Sequence, residues 1–234
     1  MKQEKHIKQL VYSVGILFCI MMLTYLGWRG YRYYLYYQLR QAPQVELNSR
    51  FLGNGRINSQ TISSLNRNRR KAQDKGYNRY ASGILKIPSI KVDLPIFSGI
   101  NRYTLSLGVA KDYYYDSQMG KGNYVLAGHN MRLPGVLLSD LKSVKVGDRV
   151  YLYNKHYRFS YQVYSNRVVS PYVKLVDGIP AKGSAYWLPT GKQTPIVTVY
   201  DCAQVGHKRR VVQGKLISKG KIKKGEINQW ILIL

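Results

Sequence analysis

The chain has 234 residues, 45% of them hydrophobic and 22 of them Tyr, with 37 Lys+Arg against 11 Asp+Glu, which excludes wholesale disorder. The formal net charge of +26 points to a polyanionic neighbour such as nucleic acid, anionic lipid or an anionic cell wall, without choosing among them. Two cysteines, Cys19 and Cys202, and four histidines, His6, His129, His156 and His207, show no HxxxH or CxxC spacing, so a disulfide framework and a structural metal core are excluded.

The first element along the chain is an apolar run. From Gln9 to Trp28 there is no charged residue, and Leu10, Val11, Ile16, Leu17, Phe18 and Ile20 open a dense hydrophobic stretch. As a helix rising ~1.5 Å per residue it spans roughly 30 Å, the thickness of a bilayer core. Its exit, Leu26-Gly27-Trp28-Arg29, has no small-x-small cleavage site. Segment 9–28 is therefore read as an uncleaved transmembrane anchor, with a removed signal peptide or a buried core helix as rival readings. Lys2, Lys5 and Lys8 before the span nearly balance Arg29, Arg32 and Arg40 after it, so basic residues alone do not orient it. Because almost all of the chain follows the span, residues 1–8 are expected in the cytoplasm and the carboxy-terminal domain outside a single-pass cell-membrane protein. Trp28 with Tyr31, Tyr33, Tyr34, Tyr36 and Tyr37 then forms an aromatic belt or continues the helix amphipathically.

Residues 29–79 read as a basic stalk. From Gln41 to about Arg79 the chain is rich in Asn, Arg, Ser and Gln with few periodic apolar positions, and a short helix is expected near Thr61 to Lys75. Its charges suit a solvated segment beside anionic headgroups or wall polymer. Nucleic-acid binding is the alternative there, though aromatics are not interleaved as base stacking needs, and no nucleic-acid partner is expected for the chain. From Tyr80 the texture changes to short alternating runs broken by Gly, Pro, Asn and Asp, such as Arg149-Val-Tyr-Leu-Tyr, Arg158-Phe-Ser-Tyr-Gln-Val-Tyr and Ile196-Val-Thr-Val-Tyr. Closely spaced strands of this kind predict an all-β barrel or sandwich, one domain over 80–234. Gly225 to Leu234 is too short to span a membrane and reads as a terminal strand or packed tail.

With Cys19 inside the span, Cys202 is the remaining thiol, either an inert buried hydrophobe or a nucleophile. Period-two alternation puts Thr198, Tyr200 and Cys202 on one face, expected outward, and Val197, Val199 and Asp201 on the core side, with Asp201 pointing away from the sulfur. On the next strand Arg209, Val211, Gln213 and Lys215 form the more polar, outward set, and a tight antiparallel connection brings Arg209 toward Cys202. His129 ends the apolar run Leu126-Ala127-Gly128 and enters a loop, a position that favours catalytic groups. His207 in a Gly-His-Lys-Arg turn and His156 in Asn154-Lys-His-Tyr read as exposed turn residues.

These residues stand within ordered features that resemble the sortases, most closely class A. The features are Ile87-Pro-Ser-Ile-Lys-Val-Asp-Leu-Pro-Ile-Phe-Ser-Gly, Leu126-Ala-Gly-His129-Asn-Met, Leu137-Leu-Ser-Asp-Leu-Lys-Ser-Val-Lys-Val-Gly-Asp148, Thr198-Val-Tyr-Asp-Cys202 and Arg209-Arg-Val-Val-Gln-Gly214. The resemblance covers roughly Gly83 to Ile217. It implies an eight-stranded sortase-type β-barrel with short helices, and cysteine transpeptidation on the surface of a Gram-positive type cell. It also implies surface-protein substrates bearing an LPxTG-type signal cleaved between Thr and Gly, and a cell-wall precursor amine of lipid II type as acceptor.

Carried over by position, Cys202 matches the nucleophile, His129 the histidine and Arg209 the arginine, with Arg210 the rival for the last role. The family's usual TLxTC reads Thr-Val-Tyr-Asp-Cys here, with Asp201 in place of the Thr before the nucleophile. Some class A members bind calcium through clustered carboxylates. Only Asp112 and Asp116, among Tyr113, Tyr114 and Tyr115, occupy the comparable region, so no calcium requirement, metal or other cofactor is expected. Leu188-Pro189-Thr190-Gly191 mimics a sorting signal but lacks the intervening residue and is read as a loop bordering the groove. The competing readings are a cell-wall cysteine hydrolase and a non-enzymatic anchored module that binds polyanions. Papain-like peptidases place Cys before His, at a helix start, whereas here His129 comes first and Cys202 ends a strand-like run.

Overall fold

The apolar run forms α1, Lys2–Arg40, the one helix among the described residues long and apolar enough to cross a membrane. In this computed structural model every residue is described except 1, 54, 56, 58, 115, 183, 190–192, 205–207, 224–225, 227–230 and 233–234. The helix continues beyond the expected span, so Tyr31 to Tyr37 lie on it, with the Arg32 guanidinium 4.8 Å from the Trp28 ring centroid. A second unit starts at Ala42.

That boundary corrects the stalk. Within 29–79, residues to Arg40 are helical, and the chain from Ala42 belongs to the folded unit. Helix α2, Ile62–Asp74, starts at Thr61 with a reciprocal cap in which Ser64 N–H donates to Thr61 Oγ1 and Thr61 N–H to Ser64 Oγ. Its Leu65 and Ala72 are fully buried, and Val45, Leu47 and Ala72 pack in one cluster with Ile84, Phe97 and Leu107. Even a basic residue is recruited. Arg69 is buried, donates Nε–H to the Ser106 carbonyl at 3.1 Å, and has its pKa lowered by burial to about 10. Sparse apolar residues at helical spacing were enough to dock the segment, which composition alone reads as solvated.

The remaining chain makes a closed barrel of eight strands: β1 Ala81–Ile87, β2 Val92–Ser98, β3 Val109–Lys111, β4 Asn123–Ala127, β5 Arg149–Tyr153, β6 Tyr157–Val169, β7 Ile196–Gln204 and β8 Lys208–Lys221. The order around the barrel is β7-β8-β6-β5-β1-β2-β3-β4, closing from β4 back to β7. The pairs β2/β3 and β4/β7 are parallel and the other six antiparallel. The β2 to β3 crossover carries the short helix α3, Thr104–Leu107. Cross-strand rows such as Leu94–Leu85–Leu152–Phe159 and Val212–Val199–Leu126 are buried throughout, which fixes the register, since a one-residue slip would turn each row over.

Two-residue strands pair outside the barrel, Leu175–Val176 with Ile179–Pro180, and Val45–Glu46 in parallel with Ile231–Leu232 of the carboxy-terminal tail. His207, Tyr115, Thr190, Gly191 and Gly225 lie outside the described residues.

Candidate functional site

Three neighbouring strands set the site. In the parallel pair β4/β7, Tyr200 is the partner of Ala127, and Gly128 N–H donates to the Tyr200 carbonyl at 3.1 Å, carrying the ladder one step past the end of β4. His129 therefore leaves β4 level with the carboxy-terminal end of β7. In the antiparallel pair β7/β8, Cys202 is the register partner of Arg209, and Asp201 of Arg210. Strands lie ~4.8 Å apart, so position 202 is the middle of three adjacent backbone positions, with His129 to one side and Arg209 to the other.

The His129 loop is held closely. A Cβ on Gly128 would lie 2.6 Å from Leu138 Cδ1 and 3.0 Å from Val109 Cγ1, so only glycine lets the backbone pass there. Beyond it, Leu138 N–H donates to the His129 carbonyl at 3.0 Å, Met131 N–H to Ser139 Oγ at 3.0 Å, and Gly135 N–H to Asp140 Oδ2 at 2.6 Å. His129 is only 4% exposed, and its Nε2 has no hydrogen-bond partner among the described residues. Burial lowers its pKa from 6.5 to about 4, so the imidazole is neutral at pH 7.

Arg209 is half-exposed and lines a cavity of about 480 Å³. Its lining includes the segment from Val169 to Lys174, Ala181, Ser184 and Tyr186, and also Ile100, Asp112 and Tyr200. Asp112 Oδ2 accepts hydrogen bonds from the hydroxyls of Tyr186, at 2.9 Å, and Tyr200. The Tyr113 ring stacks on Tyr186 at 4.7 Å, and Tyr114 donates its hydroxyl to the Tyr186 carbonyl at 2.8 Å. Burial first and the Asp112 charge second push the Tyr186 and Tyr200 phenols well up, so they stay protonated donors. The sequence marked Asp112 only as a carboxylate and Tyr200 only as a strand face; the partnership with Tyr186 spans the chain and leaves no local signal.

The expected outward face of β7 and β8 is open only at its ends, where Arg209 is half-exposed and Lys215 exposed. Thr198, Tyr200, Val211 and Gln213 are all buried. The Ser184–Trp187 segment lies over them and satisfies their polar groups: Asn123 Nδ2 donates to the Ala185 and Trp187 carbonyls, Gln213 Nε2 to the Ser184 carbonyl, and Thr198 Oγ1 to Asn123 Oδ1. Polar side chains on a strand signalled exposure in the sequence, whereas here Gln213 binds loop backbone and Thr198 binds the Asn123 side chain.

On the other face Asp201 is 1% exposed, its Oδ2 accepts a hydrogen bond from Asn130 Nδ2 at 3.1 Å, and the Arg210 backbone N–H also donates to the carboxylate. Burial raises its pKa from 3.8 to about 7, opposed chiefly by Arg210. Arg210 itself is half-exposed and donates to Asn166 Oδ1 at 3.1 Å.

A closed eight-stranded barrel in which the strand carrying Cys202 lies between the strand that leads into His129 and the strand carrying Arg209 defines a class of closed β-barrel proteins. A model of the sortase domain matches residues 85–217, more than half of the chain, and the chain belongs to the sortase family. It is 42% identical to sortase A of Bacillus anthracis over 89 residues, 38% of this chain and 42% of that protein. It is 34% identical to sortase A of Streptococcus agalactiae over 116 residues, 47% of each chain. The chain thus spans less than half the length of these relatives. The structure of Listeria monocytogenes sortase A superposes with a TM-score of 0.53 at 29% identity, over 62% of this chain and 92% of that one.

Proposed function

We propose that the chain is a membrane-anchored, class A-type cysteine transpeptidase that cleaves LPxTG-type sorting signals between Thr and Gly and passes the acyl group to a cell-wall precursor amine. The observation that carries the reading is the register of Cys202 against Arg209 at the level where buried His129 leaves β4. The sortase A relatives support the substrate class, and α1, by its length and composition, supports the anchor.

The chemistry starts from a neutral His129 imidazole. As the Cys202 sulfur bonds to the Thr carbonyl carbon, the thiol proton passes to His129, and the carbonyl oxygen takes the negative charge beside the Arg209 guanidinium. Collapse breaks the Thr–Gly C–N bond while His129 returns its proton to the departing amine, leaving a thioester. An imidazolium with a pKa of about 4 is a strong acid for this environment, so protonation of the leaving amine is downhill. The acceptor amine then attacks the thioester, loses a proton to His129, and the displaced sulfur recovers it. Thioester formation conserves the bond energy, and no nucleotide is consumed.

The test uses the full chain in detergent micelles with an LPxTG peptide, with and without an added amine, followed by intact mass. A Cys202 adduct of the peptide fragment and an amide product that appears only with amine are expected. Free acid in unchanged yield with amine present would make it a hydrolase, and no adduct would sink the reading.

A further inference from the structure

The residues next to the three site positions in the chain form a second group. Asn130 follows His129, Asp201 precedes Cys202 and Arg210 follows Arg209. Strand alternation puts Asp201 and its register partner Arg210 on the face opposite positions 202 and 209. There Asn130 Nδ2 donates to Asp201 Oδ2 at 3.1 Å, and Asn130 Oδ1 accepts the Arg132 N–H at 2.9 Å, so one side chain joins β7 to the turn after His129. Asp201 Oδ1 is buried with no hydrogen-bond partner among the described residues. Burying a carboxyl so poorly satisfied is unfavourable, and packing alone would favour a smaller or apolar side chain.

Resting on the transpeptidase reading, we propose that Asp201 is a positioning residue whose ionised form holds the His129-bearing loop against the Cys202-bearing strand. The charged groups that act on it are Arg210 and Arg209 from β8; from the loop after β4 it meets the neutral Asn130 amide. Burial outweighs these together with the hydrogen bond from the Arg210 backbone N–H, and the carboxyl titrates at about 7. An N–H bond to a carboxylate is roughly twice as strong as one to a neutral acid. The tie therefore tightens as pH rises through neutrality.

The test measures kcat and KM between about pH 5.5 and about pH 8.5 for the full chain and for Asp201→Asn, Asn130→Ala and the double variant. In the unsubstituted enzyme kcat should rise through an ionisation near 7. Asp201→Asn should flatten that limb and lower kcat roughly three- to tenfold above it, with KM unchanged; Asn130→Ala should lower kcat likewise and add nothing in the double variant. A readout that needs no turnover is the side-chain amide resonance of 15N-labelled Asn130, which should titrate near 7 and cease to do so in Asp201→Asn. An unchanged limb in Asp201→Asn, strictly additive losses, or an amide signal indifferent to pH would each overturn the proposal. If no Cys202 adduct forms at all, the transpeptidase reading fails instead, and the amide titration still judges Asp201.

Discussion

The Tyr186 hydroxyl donates to Asp112 Oδ2 over 2.9 Å, joining the segment that covers β7 and β8 to the residue that follows β3. Tyr200 donates to the same oxygen, so one carboxylate fixes two walls of the cavity beside Arg209. Asp112→Ala leaves both phenols without that acceptor, at about 1–3 kcal/mol for a buried group. The expected result is a KM for the donor peptide raised by an order of magnitude with a smaller change in kcat, and a milder shift in Tyr186→Phe. Steady-state kinetics on the peptide check it, and an unchanged KM would separate this wall from peptide binding.

The two arginines are distinguished by register. Arg209 pairs with Cys202, whereas Arg210 pairs with Asp201 on the opposite face. Removing a donor aimed at an oxyanion costs about 10²–10³ in rate, so Arg209→Ala should lose that much and Arg210→Ala far less. Cys202→Ala should form no thioester, and His129→Ala should lose turnover by about 10²–10⁴. Single-turnover acylation followed by mass reads all four; equal tolerance at both arginines would defeat the assignment.

His129 and Asp201 pull stability in opposite directions as pH changes. His129 titrates at about 4 in the fold, below its ordinary 6.5, so the unfolded chain takes up the proton first. Its contribution is full above about 6.5 and is lost as pH falls toward 4. Asp201 titrates at about 7, above its ordinary 3.8, so the fold retains a proton that the unfolded chain releases. Its contribution is full below about 3.8 and is lost as pH rises through about 7. At about 1.4 kcal/mol per pH unit each slope is large, yet they nearly cancel across the shared window. Asp201→Asn should be more stable than the unsubstituted chain above neutrality and lose stability steeply on acidification. His129→Gln should show the reverse slope. Denaturant midpoints across pH check this, and three parallel curves would contradict it.

The barrel was legible because its strands alternate, and the adjacency of Cys202 and Arg209 because two strands with a short connection pair antiparallel. What stayed hidden was carried by contacts remote in sequence. Arg69 looks like one of a solvated basic run, yet a distant carbonyl, that of Ser106, accepts its guanidinium and lets α2 dock. Gln213 looks like an exposed strand residue, yet the Ser184 carbonyl accepts its amide. Asp201 is buried on the core side that alternation gave it, but its tie to Asn130 needs the β4/β7 register, which no local pattern encodes.

The step from β4 into the His129 loop depends on the missing side chain of Gly128. In Gly128→Ala the new methyl would meet Leu138 Cδ1 at 2.6 Å, Leu138 Cγ at 2.9 Å and Val109 Cγ1 at 3.0 Å, all on buried residues with little room to yield. Overpacking of this kind costs about 1–3 kcal/mol, and because the next residue is His129, the backbone shift that relieves it also displaces the imidazole. The variant should therefore lose both melting temperature and kcat. Leu138→Ala removes the obstructing atoms but leaves a cavity, at about 2–5 kcal/mol on its own. Combining the two should cost less than the sum of the singles, and the combined protein should recover part of the kcat lost in Gly128→Ala. Strictly additive destabilisation with no kinetic recovery would show that the clash with Leu138 is not what constrains position 128.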